Sequence, residues 1–261
     1  EAPVFEDELS KIYTTKKLDT ILGFLESLYE EESFAYDFET NCLKPYYEKA
    51  QLFTVGISLD GHDGFSFPYQ HPGIFNTEEQ EKICTAFSKV LANPNVRKIV
   101  QNRAMEELWS REFFTLPTNL DWDTMIASHI VEERDNFTGL KFQSYINWGI
   151  VDYDKEVESY KSSVAGTLYN RFNQVPWNKL CLYNGMDAML TRRLEYLQKR
   201  QLRAPGLNKA NKFLQDGMVE LTRMTHRGIP INTKYYEDHP TRTTDTIRSI
   251  ARNVKTSCKC W

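Results

Sequence analysis

FAYDFET, at residues 34–40, is an apolar and aromatic run that carries two carboxylates, Asp37 and Glu39. The run predicts a β-strand over residues 33–39, and side chains two positions apart on a strand point to the same face. The two carboxylates therefore project together, where unpaired like charges repel and raise each other's pKa. A divalent metal ion resolves the repulsion, because carboxylate oxygens are typical ligands of Mg²⁺ and Mn²⁺. Taken alone, the pair is more typical of a solvated turn beyond the buried part of the strand.

Helices and strands alternate on both sides of this strand. Alternating apolar residues and turn residues predict further strands at 51–59, 65–69, 97–102 and 120–124. Helical spacing predicts helices at 15–30, 77–91, 104–113, 124–130, 140–148, 153–161, 178–200 and 210–224. Thr14 or Thr15 is the expected cap of the first helix, and Thr77 with Gln80 forms a capping-box pattern. The order predicts an α/β fold whose mixed sheet carries an antiparallel hairpin on a parallel core.

Composition is that of an ordinary globular protein with one large or two modest domains. Of the 261 residues, 41% are hydrophobic, enough for a sizeable core, and the formal net charge is −4. This charge argues against coating nucleic acid by bulk charge, but a local groove can still be basic. The five scattered cysteines favour a reducing compartment over disulfides. No apolar run has the length of a membrane span, and the first residues lack a signal-peptide pattern.

A second stretch with chemistry-bearing side chains is CLYNGMDAMLTRRL, at residues 181–194. Tyr183 and Asp187 are four residues apart and share a helix face about one turn apart. Leu190 and Leu194 continue an apolar face, so Asp187 lies near the buried side and needs a partner. A Tyr and an Asp at the wet edge of a helix are the simpler interpretation of this stretch alone.

A third stretch is KIVQNRAMEELW, at residues 98–109, where a short strand ends at Asn102 and a helix follows. That helix carries Glu106 and Glu107 in its first turns. Acidic residues at this place usually interact favourably with the helix dipole and need no further role.

Together the three stretches resemble the three motifs of the DnaQ-like 3′–5′ exonucleases of ribonuclease H-like fold, in the DEDDy variant with Tyr-x-x-x-Asp in the last motif. More narrowly, the chain resembles the proofreading domain of bacterial and phage family A (polymerase I-like) DNA polymerases. Thr40 and Leu43 follow the first carboxylates as in that family, and DWDTMIASHI, at residues 121–130, is similar to its Asp-Thr stretch. The resemblance covers about residues 10–200. It implies a mixed five-stranded sheet flanked by helices.

The second motif departs from the family pattern. The family has an aromatic residue and then Asp after Asn and two residues, whereas this chain has Met105 and then Glu106 after Asn102. The resemblance makes Glu106 the fourth acidic residue, on a longer side chain that can still reach a metal or its bound water. Glu107 is the alternative.

The resemblance implies hydrolysis of the terminal phosphodiester of DNA with two divalent ions, Mg²⁺ or Mn²⁺. Asp37 would contact both ions, Glu39 and Asp187 would complete the first site, and Glu106 would hold the second ion. Tyr183 would orient the attacking water, since an unperturbed phenol pKa near ~10 makes it a poor base at neutral pH.

Substrate-binding residues are also implied by the resemblance. Thr40 and Leu43 would receive the terminal base and sugar, and Asn102 would bond the nucleotide or the nearby backbone. Leu43 could equally be a packing residue. Tyr153 could stack on a base, although a core or surface aromatic is the simpler interpretation. Four basic residues could contact phosphates but are also typical of a solvated surface: Lys44, Arg103, Arg134 and Lys141.

A linker pattern, RAPGL at residues 203–207, predicts a boundary between an exonuclease domain, 1–204, and a helical extension, 205–261. VELTRMTHRGIPINTKYYEDH, at residues 219–239, resembles the start of a family A polymerase domain. The expected partners are therefore a DNA 3′ end and a polymerase domain outside this chain, in the cytoplasm of a bacterium or phage-infected cell. Two alternatives are a ribonuclease D-like exoribonuclease and a catalytically weak module that only binds DNA or a partner.

Overall fold

The structure, a computed structural model, describes residues 5–238 of the chain. Its strands are β1 (Ile12–Thr14), β2 (Ser33–Thr40), β3 (Leu52–Ser58), β4 (Gly64–Pro68), β5 (Arg97–Val100) and β6 (Leu120–Asp123). Its helices are α1 (Phe5–Ser10), α2 (Leu18–Ser27), α3 (Thr77–Ala92), α4 (Arg103–Phe113), α5 (Thr124–Val131), α6 (Leu140–Trp148), α7 (Glu158–Lys161), α8 (Trp177–Gln201), α9 (Pro205–Arg227) and α10 (Thr233–Asp238).

The strands form one mixed sheet of six strands in the order β1-β4-β3-β2-β5-β6. β3 is antiparallel to both β2 and β4, whereas the other neighbouring pairs are parallel. This confirms the mixed sheet with a hairpin on a parallel core. The predicted count of five strands is wrong by one, because β1 adds a parallel edge strand next to β4. Its three residues are too few to show an alternating pattern in the sequence.

Strand β2 lies between two hydrophobic cores. Phe34, Tyr36 and Phe38 belong to a core that α2 and α3 cover with Ile21, Leu25, Ile83 and Phe87. The intervening side chains, Asp37 and Glu39 among them, point to the opposite face, where α8 packs. The core on that face contains Phe53, Leu180, Met186, Met189, Leu190 and Leu194. The alternation of FAYDFET therefore places its aromatic residues in one core and its carboxylates against α8.

Two glycines allow α8 to approach the sheet closely. A Cβ atom on Gly56 would lie 2.5 Å from the carbonyl oxygen of Asn184, and one on Gly185 would lie 2.4 Å from Cγ2 of Ile12. Any larger residue would push the helix away from the sheet. Gly56 is the register partner of Asp37 across β2 and β3, so this close contact of α8 falls beside the strand carboxylates.

Some element boundaries differ from the predicted ones. Helix α2 begins at Leu18 rather than residue 15, because the Thr15 hydroxyl instead accepts a hydrogen bond from the Lys17 backbone N–H at 3.1 Å. The capping box of α3 is formed one residue earlier than predicted, by Asn76 and Glu79. In the predicted helix 153–161, only Glu158–Lys161 is helical, so Tyr153 lies in an irregular segment.

The chain groups into two compact units, Glu1–Arg223 and Met224–Trp261. Helix α9 begins at Pro205, inside the predicted linker, and Gln215, which belongs to the first unit, accepts a hydrogen bond from the backbone N–H of Asp123. The domain boundary between residues 204 and 205 stays a prediction, and residues 239–261 of the predicted extension lie outside the described residues. None of the helices within residues 5–238 combines the length and apolarity that crossing a membrane requires.

Candidate active site

Three carboxylates from two elements meet on the α8 face of the sheet. Asp37 and Glu39 come from β2 and Asp187 from α8, and one oxygen atom from each lies within 4.8 Å of the others. Glu39 and Asp187 are each only 7% exposed, and Asp37 is partly accessible. The strand pair is therefore part of a buried cluster rather than a solvated turn.

The cluster carries more negative charge than its surroundings balance. Burial raises the pKa of Asp37 well above its usual value, and repulsion from Asp187 adds to the rise. Burial also raises the pKa of Glu39, and repulsion from Asp37 and Asp187 raises it further. One hydrogen bond opposes the effect at Asp37: Asn184 Nδ2 donates to its Oδ2 at 2.7 Å. A bound cation would remove the repulsion among the three carboxylates.

Glu106 and Glu107 differ in the groups that surround their carboxylates. Glu106 is 3% exposed, and its Oε2 atom is buried without a hydrogen-bond partner among the described residues. Burial raises the pKa of Glu106, and repulsion from Asp37 and Glu39 adds to the rise. By contrast, Glu107 accepts from Arg103 Nε at 3.0 Å and from Arg111 Nη2 at 2.8 Å. Glu106 is thus the carboxylate that is subject to repulsion from the cluster, whereas Glu107 belongs to an ion-pair network.

Asp123 fixes the start of the helix that carries Glu106. Its Oδ1 accepts from the backbone N–H groups of Asn102 at 3.0 Å and Met125 at 2.8 Å, and its Oδ2 accepts from Arg103 N–H at 2.8 Å. One carboxylate therefore caps α4 and α5 together. It also supports Asn102, which has a left-handed backbone with φ of 67°. The Asp-Thr stretch drew attention to this residue in the sequence, but its link to Glu106 was not predicted.

Two tyrosines line the cluster beside Asp187. The Tyr153 hydroxyl donates to Asp187 Oδ1, and the Tyr153 and Tyr183 rings stack with centroids 5.9 Å apart. Burial raises the pKa of Tyr183 well above 10, and repulsion from Asp187 and Glu39 adds to the rise. Its phenol is therefore protonated at neutral pH. Tyr153 lies in the site as a support for Asp187, a role that its irregular segment did not reveal in the sequence.

A pocket of about 250 Å³ adjoins the cluster. Thr40 and Leu43 line it, with Glu39, Met105 and Tyr183. Leu43 is 76% exposed, so it is not a packing residue, whereas Thr40 is buried and its hydroxyl donates to the Cys42 carbonyl at 3.0 Å.

Other sequence candidates for substrate contact occupy different places. Asn102 directly precedes α4, its side chain forms no cap hydrogen bond, and it is not among the residues that line the pocket. Arg103 is buried and bonded to Glu107 and the Leu120 carbonyl, so it is not placed to hold a phosphate. Lys161, which the sequence did not single out, lines the pocket beside Tyr183.

The donor set fits hard divalent cations. Every candidate ligand is a carboxylate oxygen, the preferred donor for Mg²⁺ and Mn²⁺, and Glu106 Oε2 is a buried acceptor without a partner in the described part of the chain. Within residues 5–238, neither Glu106 nor any of the three clustered carboxylates forms an ion pair. A buried charge of this kind requires a counter-ion or a proton.

A family model and a curated protein match this chain. A family model described as 3′–5′ exonuclease matches residues 12–201. DNA polymerase I from Chloroflexus aurantiacus is 25% identical over 208 residues, which are 79% of this chain and 21% of that protein. The chain thus spans about a fifth of the length of that curated relative.

Solved structures show the same fold at low identity. The POL domain of Pol1 from M. smegmatis, in complex with DNA primer-template and dNTP, is 15% identical with a TM-score of 0.60, over 92% of this chain and 36% of that chain. RNase D from Escherichia coli is 16% identical with a TM-score of 0.55, over 84% of this chain and 51% of that chain. The sheet and its flanking helices have the ribonuclease H-like exonuclease fold, as predicted.

Proposed function

Because the chain belongs to the 3′–5′ exonuclease family of the DNA polymerase A type, we propose that it removes nucleotides from the 3′ end of single-stranded or frayed DNA and releases 5′-deoxynucleoside monophosphates. The observation that carries the proposal is the buried cluster of Asp37, Glu39 and Asp187, with Glu106 in the same electrostatic field. None of the four forms an ion pair within residues 5–238, and Lys141 and Lys161 only partly offset the rise in the pKa of Glu39 and Asp187. A phosphodiester hydrolase requires such an excess of oxygen donors to hold its metals.

Two Mg²⁺ or Mn²⁺ ions are the proposed cofactors. Asp37 would hold both ions, Glu39 and Asp187 would complete the first site, and Glu106 would hold the second ion, mostly through water. When bound, the ions would neutralise the phosphate, lower the pKa of the attacking water and stabilise the leaving oxygen.

Neighbouring side chains orient two of the carboxylates. Asn184 donates to Asp37 Oδ2 and Tyr153 donates to Asp187 Oδ1, which fixes the direction of both carboxylates toward the proposed ions. Tyr183 is the proposed residue that orients the attacking water. Since burial and the nearby carboxylates raise the pKa of Tyr183, its hydroxyl donates a hydrogen bond and does not act as a base.

The proposed place for the 3′-terminal nucleotide is the pocket beside the cluster. Leu43 stands at its rim with an exposed apolar side chain, which suits it to separating the last base from its neighbour. Thr40 would contact the nucleotide through its backbone or methyl group, because its hydroxyl is bonded to Cys42. Asn102, which directly precedes α4, is proposed to bond the nucleotide or the backbone near Asp37 and Glu39.

Polymerase association is a further part of the proposal. The chain matches a segment of a DNA polymerase I from Chloroflexus aurantiacus, and it continues beyond the family match through α9 and α10. We therefore propose that it works as the proofreading part of a family A DNA polymerase. In that role, its substrate is the primer end that a polymerase domain delivers.

A ribonuclease D-like activity is the second candidate. RNase D from Escherichia coli, described as an exoribonuclease involved in structured RNA processing, shares the fold. The cluster itself acts on a phosphodiester and does not discriminate between the two sugars. The longer side chain of Glu106 is the feature that favours a third candidate, a weakly active binding module, but the unbalanced charge of all four carboxylates supports catalysis.

The test compares DNA and RNA strands of one sequence, labelled at the 3′ end, with Mg²⁺, Mn²⁺ or EDTA. We expect metal-dependent release of mononucleotides, faster from DNA than from RNA, and none in EDTA. Asp37→Ala should lower the rate by about a thousandfold, a loss typical of removing a group from a catalytic unit. The matched control is Asp63→Ala in the exposed β3–β4 turn, which should leave the rate unchanged.

Two other outcomes would contradict this proposal. Release from RNA alone would establish the exoribonuclease. Binding of DNA without shortening, with Asp37→Ala behaving like the parent protein, would refute catalysis at this cluster.

A further inference from the structure

A pair of lysines lies beside the carboxylate cluster, and the proposed chemistry does not use it. Lys161 Nζ is 4.6 Å from the centroid of the Tyr183 ring, and Lys141 Nζ is 5.7 Å from it. Both ammonium groups pair with Asp154 Oδ2. Lys161 also lines the pocket that contains Glu39 and Leu43. The two cations thus border the space proposed for the substrate strand.

The lysine pair is fixed in relation to the carboxylates by one dipeptide. Tyr153 donates to Asp187, and the next residue, Asp154, holds both lysines. The Asp154 carbonyl accepts from the backbone N–H groups of Val157 and Glu158, each at 2.9 Å, which closes the turn that presents its side chain. The Asp154 side chain is only 14% exposed. The positions of the lysines therefore follow from the same segment that supports Asp187.

The anions that the protein supplies to the lysine pair are Asp154 and Glu158; Glu158 Oε2 lies 3.2 Å from Lys161 Nζ and 3.8 Å from Lys141 Nζ, and the Glu158 side chain is 66% exposed. An ammonium group has no lone pair and cannot bind a metal, and it repels the divalent ions that the carboxylates would hold. Burial and neighbouring carboxylates raise the pKa of Glu39, and Lys161 and Lys141 oppose that rise, so both act on the cluster electrostatically. A substrate phosphate turns the repulsion into attraction, because it binds the ions and the ammonium groups together.

We propose that Lys161, with Lys141 held beside it by Asp154, binds a non-bridging phosphate oxygen of the substrate strand next to the metal-binding carboxylates. This inference rests on the proposed exonuclease function. Lys161 is the principal contact, because its side chain lines the pocket and is 23% exposed. Lys141 is 45% exposed and is not among the residues that line the pocket. Each ammonium has three N–H donors, so pairing with Asp154 and Glu158 leaves one for the phosphate.

A kinetic comparison of Lys161→Gln, Lys161→Arg and the parent protein tests the contact. With single-stranded DNA and Mg²⁺, we expect Lys161→Gln to raise KM about tenfold, as loss of a charged hydrogen bond does. The slope of log(kcat/KM) against log salt concentration should become shallower by about one, the change expected for one phosphate contact. Lys161→Arg should recover most of the affinity. The matched control is Lys82→Gln, an exposed lysine paired with Glu78 on α3, across the sheet from α8.

A binding experiment identifies the phosphate without requiring cleavage. Fluorescent single strands carry a neutral methylphosphonate at the first or the second linkage from the 3′ end, and binding is measured with Ca²⁺ in place of Mg²⁺. We expect one of the two strands to bind the parent protein and Lys161→Gln equally, since the charge that Lys161 contacts has been removed.

The inference is overturned if Lys161→Gln weakens all strands by the same factor or none of them. It is also overturned if the substitution only tightens Mn²⁺ binding while DNA affinity is unchanged, because the lysine would then merely neutralise the carboxylates. If the parent protein degrades no nucleic acid, the proposed exonuclease function fails, and the binding experiment still decides whether Lys161 contacts a phosphate.

Discussion

Glu106 and Glu107 are adjacent on α4, yet their carboxylates lie in opposite electrostatic environments. Glu106 faces other carboxylates and has a buried oxygen without a partner among the described residues, whereas Glu107 lies between the guanidinium groups of Arg103 and Arg111. A step of one residue turns a side chain by about 100° around a helix, which separates the two completely. Their substitutions should therefore have opposite effects on activity and stability.

We expect Glu106→Gln to lower the rate of nucleotide release by about a hundredfold while leaving the protein as stable or more stable, because a buried repulsion is removed. Glu106→Asp should keep activity. Glu107→Gln should keep the activity of the folded protein but lower the free energy of unfolding by about 3 kcal/mol, since it breaks a buried ion pair. Rates per active site and urea unfolding of the three variants check this. Loss of activity in Glu107→Gln at unchanged stability would contradict the assignment.

Sequence reasoning located some of these residues and missed others for physical reasons. Periodicity was enough to bring Asp37, Glu39 and Asp187 to one face, because strand and helix repeats fix directions within an element. Tyr153 was named only as a residue that could stack on a base, and Lys161 was not singled out, because they lie in and next to an irregular segment that has no repeat. The choice between Glu106 and Glu107 depended on where the arginines of α4 lie, which the resemblance alone could not give.

At the level of elements, Asp123 joins the end of β6 to the starts of α4 and α5. It accepts three backbone N–H groups, from Asn102, Arg103 and Met125, and it is 1% exposed. Glu106 lies in the first turn of α4, so its distance from the strand carboxylates depends on this cap. Asp123 is thus a positioning residue for the proposed second metal site.

Replacing Asp123 with Asn removes one of its two acceptor oxygens and leaves its size unchanged. We expect a loss of about 1–2 kcal/mol in stability, the usual effect of a lost helix cap. We also expect the concentration of Mn²⁺ needed for half-maximal rate to rise severalfold while KM for DNA stays constant, because Glu106 is displaced and the pocket is not. Titrations of Mn²⁺ at saturating DNA measure this. The control is Asp121→Asn, an exposed neighbour paired with Arg97; an equal rise in that variant would refute the positioning role.

The close packing of α8 on the sheet could not be predicted from the sequence patterns of the individual helices and strands. Helix α8 and β3 were both predicted, but their close contact depends on Gly56, and the close contact of α8 with Ile12 of β1 depends on Gly185. In the sequence, a single glycine indicates only that a strand or helix is locally less stable. Its role in allowing close packing becomes evident only when two elements are seen in contact. Because the contact at Gly56 lies opposite Asp37, the fold class was predictable, whereas the distance between the carboxylates was not.

At the level of the whole molecule, α9 is part of the first compact unit as far as Arg223. The Gln215 side chain accepts from the Asp123 backbone N–H and donates to the Asp123 carbonyl, each at 3.0 Å, and Asn211 and Thr222 are also buried. The turn pattern at 203–207 marks a change of helix, but a turn does not show whether the next helix packs on the same core. Tertiary contact of this kind has no signature in the local sequence.

The carboxylate cluster should make the whole molecule less stable when no cation is bound. Burial and mutual repulsion raise the pKa of Asp37, Glu39 and Glu106, so the folded state holds protons that the unfolded state has released. Between the unfolded values near ~4 and the raised folded values, the unfolded state binds fewer protons, and stability therefore falls as pH rises. Divalent ions reverse this loss by binding only the folded state.

We therefore expect Asp37→Asn, which can keep its bond to Asn184, to melt at a higher temperature than the parent protein in EDTA at pH 8. The difference should shrink toward pH 4.5, because the folded parent protein then binds the protons that relieve the repulsion among its carboxylates. Mn²⁺ at about 100 times its Kd should raise the parent Tm by roughly 5–10 °C, from about 2.7 kcal/mol of binding energy, and should affect Asp37→Asn far less. Calorimetric melting across pH, with EDTA or Mn²⁺, measures all three effects. A parent protein that is more stable than Asp37→Asn in EDTA at pH 8 would show that the cluster is balanced within the protein and is not built to hold metal.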